Sequence, residues 1–255
     1  MTRSLPDMGE WDPVFDETYL RTYVPFLDDE RTREEARGAI ALAGVEPGAE
    51  VLDCPVGFGR HALVLAGDGY RVTGLDRSEV QLAEAERLRG DAELPVLVHG
   101  DYRDLPFEDG SFDAALNLFS SLGYLERDED VGVLRELGRV LRPGGALVLE
   151  TMHRDRLARI FLPHTWDWLP DGSLFVHERV VDWISGEVSN RHVAVANEGE
   201  RIERSFVHRI YTATEWVAML GEAGFEAAEC FSDWAGSAPP TPEARLIVRA
   251  RRPLQ

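Results

Sequence analysis

Four polar side chains close four consecutive apolar runs of this chain. Asp53 ends "EVLD", Asp76 ends "RVTGLD", Asp101 follows "PVLVHG" and Asn117 ends "FDAALN". Short apolar runs bounded by turn residues read as strands. In open sheets built from strand–helix alternation, ligands lie outside the carboxyl ends of the strands. Three carboxylates and an amide are therefore expected at one crevice. Their chemistry suits a nucleoside. A carboxylate at Asp76 can accept both ribose hydroxyls, and one at Asp101 can accept from an adenine amino group. Tyr102 either lines the ring's pocket or lies on the surface. Taken singly, each acid could be a helix cap or a solvated turn, and Asp76 could merely precede the Ser78 cap. Their recurrence at successive strand ends favours a binding site.

The stretch "VLDCPVGFGRHA", Val51 to Ala62, carries two overlapping patterns. From Gly57 it fits G-x-G-x-x-A, a dinucleotide fingerprint. From Asp53 it is an acid closing a strand before a loop with Gly57 and Gly59. A dinucleotide site puts its first glycine directly after the strand, where this chain has Asp53 and then Pro55. A carboxylate there repels a pyrophosphate but welcomes the ammonium or sulfonium region of S-adenosylmethionine. Gly57 and Gly59 let backbone approach a ligand with no Cβ in the way, and the following helix presents free N–H groups. The chain contains no lysine, which removes the Tyr-x-x-x-Lys hydride chemistry, Schiff-base enzymes and Walker-type phosphate loops.

The elements that must position these residues follow from periodicity. Phe15 to Val45 reads as two short helices broken near Pro25. "RHALVLAGDGY" is a helix with a glycine stop, and "SEVQLAEAERLRG" opens with a Ser78–Gln81 capping box and closes at Gly90. "DEDVGVLRELGRVLRPGG" is a helix stopped by Pro143-Gly144-Gly145, and "ALVLET" is the next strand. From Arg154 the pattern changes to apolar–polar alternation, with turns at Ser185-Gly186 and Asn197-Glu198-Gly199, which predicts antiparallel strands. "TATEWVAMLGEAGF" is a helix with a Thr212–Glu215 box, and two closing strands follow. The expected fold is α/β: a Rossmann-like, doubly wound, mainly parallel seven-stranded sheet, with an antiparallel strand insertion and an N-terminal helical cap. The expected divisions are 1–45 for the cap, 46–152 for the cofactor-binding core, 153–211 for an insertion covering the substrate, and 212–255 for elements completing the core sheet.

Composition narrows the partners. A formal charge of −19 opposes a nucleic-acid or anionic-membrane partner. No apolar run approaches a membrane span, and the acidic start "MTRSLPDMGEWDPVFDE" lacks a signal core. Cys54 and Cys230 suit a reducing, cytoplasmic setting, with Cys54 packed as a small hydrophobe. The histidines and cysteines offer no metal spacing, so no metal is expected.

These motifs together resemble class I S-adenosylmethionine-dependent methyltransferases of the small-molecule type. "VLDCPVGFGRHA" resembles the family's first motif, "VTGLDRSEVQL" its ribose-binding acid, and "VHGDYRDLPFEDGSFDAALNLFSSLGYLE" its adenine-binding acid and fourth strand. "LRELGRVLRPGGALVLET" resembles its helix and fifth strand. The resemblance runs through Val51–Thr151, with a weaker match near "YTATEWVAMLGEAGF" and the last strand. It departs at Pro55, where the family's commonest loop has glycine. The resemblance implies Asp53 near the methionine end, Pro55, Gly57 and Gly59 along the cofactor, and Asp76 with Arg77 at the ribose. It implies Asp101 with Tyr102 at the adenine, and Asn117 and Leu118 near the methionine portion. S-adenosylhomocysteine would be the product.

The candidates for contact with the methyl acceptor are Tyr19 and Tyr23 from the leading helix and Phe119 after the fourth strand, and Tyr124 joins His153 as a candidate catalytic residue. His153, after the fifth strand, is the expected base. An aromatic pair four residues apart also suits core packing. Trp166 and Trp168 would form a lid or anchor the insertion. "NLFSSLGYL" resembles enzymes that N-methylate amino sugars and related natural products, so an amine acceptor is expected, with O-methylation as the alternative. A binding module without turnover is the competing class, and a homodimer is open because the inserted strands could form a dimer face.

Overall fold

The computed structural model describes residues 14–197 and 199–255. The Glu198 part of the expected turn and residues 1–13 of the expected cap lie outside them.

The leading segment forms α1 (Glu17–Tyr23), a single 3-10 turn over Val24–Phe26 and α2 (Asp29–Ala43). The Asp16 side chain caps α1 by accepting from the Thr18 and Tyr19 N–H groups at 2.8 and 3.2 Å. Pro25 sits in the turn between the helices, so the break falls where the sequence reading put it. The second helix is longer than expected, at 15 residues.

The core then alternates β1 (Glu50–Asp53), α3 (Arg60–Gly67), β2 (Arg71–Asp76), α4 (Glu79–Arg89), β3 (Val96–His99), β4 (Phe112–Asn117), α5 (Arg127–Val140) and β5 (Leu141–Thr151). After the insertion come α7 (Ala213–Glu222), β10 (Glu226–Phe231) and β11 (Leu246–Arg251). The seven strands are ordered β10-β11-β5-β4-β1-β2-β3. The five from β1 to β5 run parallel, and β11 pairs antiparallel to both β5 and β10. This is the mainly parallel Rossmann-like sheet expected from the alternation.

Core packing follows the binary pattern. α5 buries Val131, Leu134 and Leu137 on one face at helical spacing. Leu52, Leu116 and Leu147 on the central strands are fully buried. Each such side chain contributes roughly 1.5–3 kcal/mol through burial. The helix before β5 ends three residues earlier than the Pro-Gly-Gly stop. Arg142 precedes Pro143 and is held out of helical backbone, so the chain turns extended at Leu141. The β4–β5 register jumps between the Phe112–Leu141 and Ala114–Ala146 pairs, and Pro143-Gly144-Gly145 belongs to that irregular edge of β5.

Between β5 and α7 lie α6 (Arg154–Ile160) and a four-stranded antiparallel sheet, β6 (His164–Trp168), β7 (Leu174–Asp182), β8 (Glu187–Val195) and β9 (Arg201–Arg209), in that order. α6 and β6 were not read from sequence. Trp166 and Trp168 are on edge strand β6 with their side chains exposed, away from the cavity described below. Several contacts join this sheet to the rest, two of them to the β4 loop and to α1. Gly123 accepts the Arg209 N–H at 2.7 Å, and Arg204 Nε donates to the α1 cap Asp16 at 3.2 Å.

Candidate active site

The two sheets and α1 enclose a cavity of about 310 Å³. Its floor is the carboxyl edge of the parallel sheet. Its opposite wall is the inner face of the inserted sheet, where Arg179 pairs across the strands with Asn190 and His192 projects beside them. Phe206 and His208 continue that face from β9. Tyr19 and Tyr23 close the third side, their rings stacked at 4.6 Å.

Of the residues singled out from sequence, Pro55, Gly57, Asp76, Arg77, Asp101, Tyr102, Leu118, Phe119, Tyr124, Tyr19 and Tyr23 all line this cavity. Asp53, Gly59, Asn117 and His153 do not. Asp53 lies beneath the glycine loop at 1% exposure. Gly59 is the N-cap of α3, with φ 82°. The Asn117 amide is spent on the Cys54 carbonyl at 2.8 Å. His153, the expected base, precedes α6 as its N-cap and is buried outside the cavity, with Nδ1 3.4 Å from the Thr241 carbonyl. Its neighbour Met152 is the residue that reaches the lining.

Asp76 is organised by backbone. Gly57 N–H donates to Oδ2 and Ser78 N–H to Oδ1, each at 2.8 Å. Gly57 has φ 56°, a conformation that strains side-chain-bearing residues, and this lets the loop fold back onto the carboxylate. Burial raises the Asp76 carboxyl above its ordinary range, opposed by those N–H donors. Asp101 is gripped by Arg103, with Nη2 at 2.6 Å, and faces Arg77 Nη1 at 3.7 Å. Burial works against its ionisation, yet the Arg103 hydrogen bonds hold it below the usual carboxylate range.

Gln81 was read as the reciprocal half of a capping box. Ser78 Oγ does accept the Gln81 N–H at 3.3 Å, but both polar atoms of the Gln81 side chain are buried without a partner, and Gln81 lines the cavity beside Asp76. The Thr212–Glu215 box is complete in both directions.

After β4 the chain takes an uncommon path. Phe119 and Ser120 have φ of 65° and 59°. Phe119 N–H donates to Glu150 Oε2 at 2.8 Å, and Arg245 pairs with the same carboxylate while its Nη2 reaches Ser120 Oγ at 2.6 Å. Strained backbone of this kind persists where its surroundings over-determine it. Here it turns the Phe119 ring under the guanidinium of Arg60 at 4.8 Å.

Three histidines in the lining, His61, His192 and His208, were not singled out from sequence. Burial pushes His192 down to about 3 and His208 to about 4, so both are neutral near pH 7. His192 Nδ1 lies 3.4 Å from the Tyr23 hydroxyl, and the His208 ring stacks on Tyr124 at 4.4 Å. Strand alternation held a signal for them. His192 shares its inward parity with Asn190 and Ala194, as His208 does with Phe206 and Ile210.

Comparison with known proteins agrees with this geometry. Residues 51–145 match the methyltransferase domain family. A Bacillus subtilis (strain 168) protein that carries a methyltransferase name, YqeM, is 26% identical over 214 residues, covering 79% of this chain and 83% of that one. The demethylmenaquinone methyltransferase of Beutenbergia cavernae is 41% identical over 113 residues, and the match spans 44% of this chain and 45% of that relative. Among solved structures, the CcbJ methyltransferase from Streptomyces caelestis superposes with a TM-score of 0.78 at 23% identity, covering 94% of this chain and 97% of that one. Fold and match agree: the chain has the class I methyltransferase fold, and residues 51–145 match a methyltransferase domain, the kind of domain that takes S-adenosylmethionine.

The residues present fit that cofactor. Asp53 Oδ2 and the whole Gln81 amide are buried polar atoms with no hydrogen-bond partner in the protein. The Asp76 carboxylate is pre-oriented beside them. Among the described residues no helix is long and apolar enough to cross a membrane, and no three metal-binding side chains gather.

Proposed function

We propose that this protein transfers a methyl group to a small-molecule acceptor, and that the accepting atom is an amine nitrogen. In this reading Asp76 receives the ribose hydroxyls, Asp101 and Tyr102 face the adenine, and Asp53 lies under the methionine ammonium. The cofactor supplies a methyl carbon already activated by positive sulfur. The protein's work is alignment and exclusion of water.

One observation carries the choice of acceptor. The side of the cavity away from the three acids includes Tyr19, Tyr23, Phe119, Tyr124, His192 and His208, with Arg179 and Asn190 beside them, and both imidazoles are strongly depressed by burial. With no lysine in the chain and His153 outside the cavity, this wall offers a hydroxyl acceptor only weak bases. A neutral amine brings its own lone pair and needs none. The aromatic faces also favour the positive charge that passes from sulfur to nitrogen. Among the structural neighbours, one is an amino pentose methyltransferase and another a sugar N-methyltransferase, which supports the reading without naming this acceptor.

The test is transfer of a radiolabelled methyl group from S-adenosylmethionine into a low-molecular-weight cell extract, followed by mass spectrometry of the product. An N-methylated amine is expected. Label recovered only in ethers or esters would overturn the amine assignment.

A further inference from the structure

The ring of His208 has a fixed orientation and a fixed tautomer. Its Nε2 lies 2.9 Å from the Leu122 carbonyl oxygen. A carbonyl oxygen only accepts, so Nε2 must carry the hydrogen. The ring's Cδ2–Nε2 edge packs on Gly123, where an added Cβ would lie 3.0 Å from Cδ2 and 3.1 Å from Nε2. Nδ1 is on the opposite edge of a ring that lines the cavity, and it receives no hydrogen bond from a described residue. Stacking on Tyr124 at an interplanar angle of 9° sets the plane of the imidazole, and the Leu122 hydrogen bond sets which edge faces the loop. Around the ring, β8 presents Val188 across the strands and the loop after β4 presents Tyr124 and Leu122. None of these carries a charge at neutral pH.

From this geometry we propose that His208 is a catalytic residue whose Nδ1 lone pair accepts the hydrogen of the nucleophilic atom and so aims that atom's own lone pair at the methyl carbon. The inference rests on the amine reading above. As the nitrogen gives its lone pair to carbon, the carbon–sulfur bond breaks with its electrons left on sulfur as a neutral thioether. The nitrogen becomes an ammonium. Its N–H bond to Nδ1 strengthens as the charge develops, an interaction made more fully in the transition state than before it. The proton stays on the product nitrogen, so a weakly basic imidazole suffices.

Two substitutions separate this role from a structural one. His208→Gln places an amide where Nε2 was, keeping the bond to Leu122 and losing the acceptor at Nδ1. His208→Asn places an amide oxygen near Nδ1. With the label-transfer assay on the extract, His208→Gln is expected to lower turnover about 10- to 100-fold, His208→Asn to recover part of it, and both to bind S-adenosylhomocysteine as wild type does. Nitrogen-15 spectra of the histidines in the homocysteine-bound protein should show His208 as the neutral Nε2–H tautomer at pH 7. Wild-type turnover in His208→Gln, or an Nδ1–H tautomer, would overturn the role while leaving methyl transfer intact. No labelled amine from wild type would remove the acceptor reading and this inference with it.

Discussion

Glu150 accepts the backbone N–H of Phe119 at 2.8 Å through its side chain, and its own carbonyl accepts the Ser120 N–H at 2.9 Å. One residue at the end of β5 thus fastens two successive left-handed residues at the end of β4. The Glu150 carboxylate is almost wholly buried and is paired with Arg245. Removing one partner of such a pair leaves the other charge uncompensated, at a cost of about 3–5 kcal/mol. Glu150→Ala is therefore expected to lower stability in urea by about that amount and to release the Phe119 turn. Unchanged unfolding would show that the turn is held by other means.

Asp53 titrates inside the fold. Burial pushes its carboxyl up to about 8, with Arg60 opposing and Asp76 adding to the rise. Its folded value lies above its unfolded one, so its contribution to stability is complete in acid and is lost as pH rises through about 8. Asp53→Asn, which cannot ionise, should raise the melting temperature of the ligand-free protein more at pH 9 than at pH 6. A pH-independent difference would contradict this.

In the proposed reading the same carboxyl links cofactor affinity to pH. An ammonium placed beside Asp53 favours the ionised form, so binding S-adenosylhomocysteine below about pH 8 should release a proton. Calorimetry in buffers of differing ionisation enthalpy would measure it, and the release should vanish in Asp53→Asn.

In the proposed reading Asp76 serves both the ligand and the loop. Losing it removes the partner of the Gly57 and Ser78 N–H groups. Asp76→Ala should weaken S-adenosylhomocysteine binding by about 100-fold or more, because two hydrogen bonds to a charged group and the loop's shape go together. Retained micromolar affinity by calorimetry would place the ribose elsewhere.

Gly123 fixes the spacing between the two sheets. It has φ 106°, and a Cβ there would lie 2.2 Å from the Arg209 carbonyl oxygen. Gly123→Ala should cost at least about 2 kcal/mol of stability, measured by urea unfolding. A tolerated alanine would mean that β9 can withdraw from the core without penalty.

The parallel sheet and the acids at its edge were legible because strand periodicity and turn residues report backbone direction locally. The precise lining was less so, because a side chain at a strand end turns inward or outward according to register. Leu118 and Met152 reach the cavity where their predecessor Asn117 and successor His153 were also expected. β6 escaped notice because "HTWDW" is one short edge strand whose side chains are mostly exposed, so it has no buried apolar face to read. His192 and His208 were hidden by a different cause. Their role depends on which face of the inserted sheet turns toward the core, and that is set by long-range contacts such as the Gly123–Arg209 link and the Arg204–Asp16 pair with α1.

The cavity has two authors within one chain. Its floor is the edge of the parallel sheet, whereas its far wall is the face of a separate sheet that contributes no strand to that floor. Sequence drift at Arg179, Asn190 or Phe206 can therefore reshape what is admitted opposite the strand ends while leaving the backbone that cradles Asp76 undisturbed. Retargeting by exchange of β7 to β9 alone becomes a practical engineering route, and divergence among such proteins should concentrate on that wall.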